Sequence, residues 1–177
     1  METANAHAIA GEGSPVFVTP QLFDRIVGSD RTLIAIDTPR AEEVLSQFQQ
    51  FARRSGNSIY SWTENEGITS LREGTVSVSG STRLPDALRY INASMQFGVY
   101  LFPGLSGMLR FSPLRAQCMA LLRQISRARD GGANVRRVVL IDERVDLSDS
   151  VDAMMLRFSD APTAVRPLRL RDGRWIT

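Results

Sequence analysis

Lysine is absent from this chain: all 21 of its basic residues are arginine. That excludes a working P-loop, whose glycine-rich turn ends in a lysine that reaches the β- and γ-phosphates. It also excludes Schiff-base chemistry and anchoring of pyridoxal phosphate, both of which need a lysine amine. Histidine and cysteine are nearly as scarce, at one each. A lone thiol, Cys118, forms no internal disulfide, which suits a reducing compartment. With no cluster of His or Cys there is no zinc-ligand pattern. No apolar run approaches the roughly 18 residues of a membrane span, and residues 1–14 lack the basic start and apolar stretch of a signal peptide. These absences predict a cytoplasmic protein without membrane insertion, cofactor or metal.

What is present is ordinary globular material. The 177 residues are 43% hydrophobic and 23% charged, with a formal net charge of +2. Such a chain is long enough to bury a core without disulfides or metal. Residues 1–14, rich in Ala and Gly, read as a disordered tail, and 15–177 as a single α/β domain. Thr19-Pro20 is an N-cap followed by proline at the first helical position. Thr32 to Ile36, Ser58 to Trp62, Phe97 to Phe102, Arg137 to Ile141 and Ala153 to Phe158 read as strands. Helices are predicted after Thr19, after Thr38-Pro39 up to Gly56, over Thr82–Ser94 and after Ser112-Pro113, the last being the longest. Gly131-Gly132 would break it. A helical turn falls near Ser148 to Val151. The polar stretch Thr63–Ser81 holds either a small hairpin around Thr75 to Val78 or a mobile loop. Val165 to Ile176 could close in a C-terminal hairpin at Asp172-Gly173. Alternating strands and helices predict a three-layer sandwich, a mainly parallel sheet of about five strands with helices on both faces.

In such a sheet, ligands gather beyond the carboxyl ends of the strands. The first strand–helix turn, Asp37 to Arg40, contains no glycine to cradle a phosphate, and Asp37, Glu42 and Glu43 would repel one. Val138 to Glu143 has the letters of a Walker B strand, apolar residues running into two acids. A buried strand leaving into an acidic loop produces the same letters, and there is no P-loop to partner it. Asp37 and Asp142 could hold a magnesium ion for phosphohydrolysis, but a pair of solvated loop acids accounts for them more simply. Gly104 to Gly107 falls short of a nucleophile elbow, and the only histidine, His7, lies in the tail. Cys118 sits on an apolar stripe, as an inert core thiol does. No catalytic residue is assigned.

Several segments carry a resemblance: Leu33 to Glu43, Ile59 to Thr63 with Gly67, Pro85 to Ile91, Val99 to Leu105, Leu121-Leu122-Arg123, Val138 to Leu147 and Met155 to Phe158. Over about residues 20–160 the chain resembles the N-terminal region of a group of bacterial and chloroplast AAA ATPases related to a conserved chloroplast reading frame. The resemblance implies a degenerate P-loop-like, non-catalytic α/β domain, here without the ATPase module. It departs from the family at Pro103-Gly104, where an acidic residue is common.

Together these readings predict a non-catalytic protein-interaction or regulatory module with a degenerate nucleotide-binding-like fold. Its partner would be a protein, either an ATPase or a second copy in a homo-oligomer. Candidate contacts are Trp62, Glu64, Phe102, Leu105 and Met108 at the loop tips, and Arg169, Arg171 and Trp175 near the C-terminus, since aromatic and Arg residues are common anchors. The C-terminal arginines equally suit a charged, solvated edge strand. The near-neutral charge weighs against nucleic acid. The alternative is a binder of an anionic small molecule such as a nucleotide second messenger, held by arginines and helix N-termini.

Overall fold

A computed structural model describes residues 15–128 and 136–160. The apolar runs form strands because each is too short for a helix and bounded by turn residues. They are β1 (Leu33–Asp37), β2 (Ile59–Thr63), β4 (Gly98–Pro103), β5 (Arg136–Asp142) and β6 (Leu156–Ser159). With β3 (Gly67–Ser70) they make a six-stranded sheet in the order β3-β2-β4-β5-β1-β6, parallel except for the β2–β3 pair. Two later strands, β4 and β5, are therefore inserted between β1 and β2.

The helices are α1 (Pro20–Gly28), α2 (Ala41–Ser55), α3 (Leu84–Ala93), α4 (Leu105–Leu109), α5 (Arg115–Arg127) and α6 (Asp149–Asp152). Strand side chains alternate between faces, so one β1 serves two cores. Ile34 and Ile36 pack with Ile26 of α1 and Val44 and Phe48 of α2. Leu33 and Ala35 face the opposite way, with Leu88 of α3, Cys118 and Leu122 of α5 and Val151 of α6. The molecule is the three-layer α/β sandwich that the sequence implied, with helices on both faces.

Local signals explain most element ends. Thr19 caps α1 by accepting from Leu22 N at 3.1 Å, and Gly56 closes α2. Buried Arg137 secures the other end of α1, donating to the carbonyls of Ile26, Val27 and Ser29. A cation is well placed there, where the helix presents its negative pole.

Several expectations need correction. The described residues form six strands, the five apolar runs and one more. The extra one is at 67–70, not at 75–78, because Ile68 lies opposite Trp62 in the hairpin register and is buried. Residues 76–78 contribute only a single bridge, Thr69 to Ser77, with Val78 N bonded to Ile68 O. The helix α5 spans 13 residues against 15 for α2, so it is not the longest. It starts at Arg115, because Ser112 and Pro113 form the turn before it. Likewise α2 starts at Ala41, not Thr38, whose hydroxyl is engaged with Asp160. Finally, α4 is an added short helix, and β6 begins at Leu156 because α6 and its turn consume the residues before it. The predicted tail 1–14, the Gly131-Gly132 break and the hairpin at 165–176 lie outside the described residues.

Candidate docking groove and carboxyl edge

The connection after β1 runs through α2 on one face, whereas that after β5 runs through α6 on the other. The crevice between the carboxyl ends of these neighbouring strands is where a ligand of an open α/β sheet is expected. Its walls are Asp37 and Asp142, paired in register.

The crevice is occupied by the protein's own hydrogen bonds. Thr38 N donates to the carbonyl of Asp142 at 2.7 Å, across the mouth. Asp37 receives Arg157 on both oxygens, at 3.0 and 2.9 Å, and Val145 N at 2.7 Å. Arg157 is held in turn by the carbonyl of Val145 at 2.8 Å. Asp142 accepts from Ser106 N at 2.9 Å, while the Ser106 hydroxyl accepts from Asp146 N at 3.1 Å. Burial pushes the Asp142 carboxyl above the ordinary carboxylate range, hydrogen bonding by Ser106 pulls it back, and Asp37 nearby raises it again. Asp160 accepts from Thr38 Oγ1 at 2.8 Å and from Arg40 at 3.1 Å. Asp37 and Asp142 are thus side by side, as magnesium-dependent chemistry would require. Asp37, however, is engaged by a backbone amide and an arginine, and Asp142 by the Ser106 amide. Among the described residues no group of acids, His or Cys is arranged to hold a metal.

A second feature lies at the carboxyl end of β2, on the α3–α5 face. A groove of about 300 Å³ runs between the β2–β3 turn, the start of α3 and the α4–α5 turn. Trp62, Leu84, Leu109 and Leu114 give it apolar walls, and Glu64, Arg83 and Ser112 line it with polar groups. The Trp62 ring is set by two contacts. It stacks on Phe102 with centroids 5.8 Å apart, and its Nε1 donates to Ser81 O at 2.8 Å. Ser81 is itself buried, accepting from Ile68 N and donating to Val78 O.

Among the residues singled out from sequence, Trp62, Glu64 and Met108 meet at this groove. Glu64 is exposed, Met108 is 36% exposed, and Trp62 shows only an edge at 4%. Phe102 and Leu105 are not loop-tip contacts: both are wholly buried in the core behind the groove. An apolar residue at the end of a parallel strand continues the strand's inward alternation, and at Leu105 the unforeseen α4 turns the side chain inward. Arg169, Arg171 and Trp175 lie outside the described residues. Sequence reasoning missed Phe111, the most exposed large apolar side chain here at 92%, next to groove-lining Ser112. Its signal was present, a lone aromatic directly before a Ser-Pro turn.

The fold and its carboxyl edge define a class: an open three-layer α/β domain whose first strand–helix turn has neither glycine nor lysine and whose edge acids bond within the protein. The chain belongs to a family defined by the SpoVK-like AAA ATPase N-terminal domain, whose model matches residues 19–159. That match covers the N-terminal domain and no ATPase module. No curated protein and no solved structure matches the chain.

Proposed function

We propose that the protein is a non-catalytic interaction or regulatory module, cytoplasmic, which docks onto a protein through the groove face. The observation that carries this reading is the exposed apolar pair Met108 and Phe111 beside an apolar-walled groove. Water-exposed aromatics beside a concave apolar wall are typical anchors for a protein partner. The carboxyl-edge crevice supports the same reading from the other side. A ligand entering it would have to displace the Arg157–Asp37 pair and the backbone bonds to both acids, leaving half-buried carboxylates unpaired. Membership of an AAA ATPase N-terminal family makes an ATPase the first partner to test.

The test is affinity capture on the tagged chain from its own cells, read by mass spectrometry, with Phe111→Ala as the paired control. A stoichiometric partner held by the wild type and lost from the variant is the expected result. The same proteins on both baits would refute the groove as the docking face. A nucleotide thermal-shift screen runs beside it, with no stabilisation expected. A nucleotide at 100 times its dissociation constant adding about 2.7 kcal/mol would replace the docking reading with the anionic small-molecule one.

A further inference from the structure

The groove face carries both halves of a self-complementary contact. Phe111 projects at 92% exposure beside Ser112, while the cavity of about 300 Å³ next to it is walled by Trp62, Leu84, Leu109 and Leu114. An aromatic side chain is a projection and the cavity a receptor, and one patch holds the two. The charges on the rim point the same way. Glu64 on the β2–β3 turn and Arg83 before α3 both line the groove and are exposed. Among the described residues neither has an ion-pair partner.

A rim with unpaired charges of both signs is poorly matched to a partner of one sign. It is well matched to its own copy turned through a two-fold axis, because an isologous contact sets residue i against j and j against i. Each off-axis acid then meets an arginine, twice per dimer.

We infer that the occupant of this groove is a second copy of the same chain: Phe111 of each copy enters the other's groove, and Glu64 faces Arg83 across the two-fold axis. This rests on the docking-module reading and names the partner at that site. The exposed residues Tyr90, Met95 and Phe97 do not line this groove and are not part of the contact.

Sedimentation equilibrium on the 177-residue chain tests this directly. The wild type is expected to be a reversible dimer at micromolar concentration. Phe111→Ala should weaken dimerisation about 100-fold, since two buried rings are lost per dimer. An unchanged far-UV spectrum would show that the monomer stays folded, as expected for a side chain this exposed. Arg83→Glu should weaken the dimer, and adding Glu64→Arg should restore it, because the reversed pair attracts again. A wild type that stays monomeric at millimolar concentration overturns the inference, and so does a dimer that Phe111→Ala leaves intact. If the chain is monomeric but Phe111→Ala abolishes capture of a different protein, the second-copy inference fails while the docking module stands. If Phe111→Ala affects neither, both fail.

Discussion

Replacing Gly67 by alanine should destabilise this fold well beyond the same change at Gly80, although the two glycines have nearly the same backbone. Their φ angles are +72° and +77°, both in the left-handed region. An alanine there costs about 1–2 kcal/mol at either site. The surroundings differ. At Gly80 an added Cβ meets nothing within 4 Å. At Gly67 it would lie 2.5 Å from Ser81 Oγ, 2.9 Å from its carbonyl carbon and 3.0 Å from its carbonyl oxygen. Ser81 cannot yield cheaply: its hydroxyl is tied to Ile68 N and Val78 O, and its carbonyl holds Trp62. Overpacking against a fixed neighbour adds about 1–3 kcal/mol. The expected totals are about 2–5 kcal/mol for Gly67→Ala and about 1–2 for Gly80→Ala. For a domain of this size the first corresponds to a loss of roughly 4–20 °C in Tm. Urea unfolding with a shared m-value gives the comparison cleanly. Because Ser81 also positions Trp62, Gly67→Ala should further weaken whatever the groove binds. Equal destabilisation by the two variants, within about 0.5 kcal/mol, would refute the argument that contact with Ser81 governs this position.

Three further outcomes are expected. Arg137→Met removes the donor from three carbonyls at the end of α1, and urea unfolding should report a loss of about 2–4 kcal/mol; a loss below about 1 would mean that water satisfies that helix end. Asp142 has a folded pKa raised chiefly by burial, so between its unfolded and folded values the native state binds more protons than the unfolded one. Its carboxyl therefore favours folding at the acid end of that window and loses that contribution as pH rises through the folded pKa. Asp142→Asn, which keeps an acceptor for Ser106 N, should gain stability relative to wild type between pH 4 and neutrality, and a flat difference across that range would contradict the shift. Cys118 is buried, and burial raises its thiol pKa. Labelling with a disulfide reagent should then be slow in the native protein and fast in urea, and rapid native labelling would place the thiol at the surface.

Much of the architecture was legible because it follows from local chemistry. Five apolar runs bounded by turn residues can hardly be anything but buried strands, and Thr19-Pro20 and Gly56 mark helix ends through their own side chains and backbone. The missing lysine and the glycine-free first turn likewise argued against a P-loop without any coordinates. Other features depend on residues far apart in the chain. Nothing near Ile68 in sequence says that it will lie opposite Trp62 and make β3 a strand. Arg157 reads as a surface charge until the sheet brings it to Asp37, 120 residues away. Phe102 and Leu105 looked like loop-tip contacts because their burial is supplied by α4 and the core behind it.

The sequence by itself determined the layers, the strand segments and the loss of a nucleotide-phosphate turn, since periodicity, capping and residue chemistry act within a few positions. Tertiary structure alone decided that Asp37 and Asp142 would be spent on internal bonds. It also decided that Trp62, Arg83, Leu109 and Leu114 would wall one groove with Phe111 beside it. The physical reason is the same in both cases: a crevice or a groove is made by the order in which strands are laid side by side, and that order is set by long-range packing.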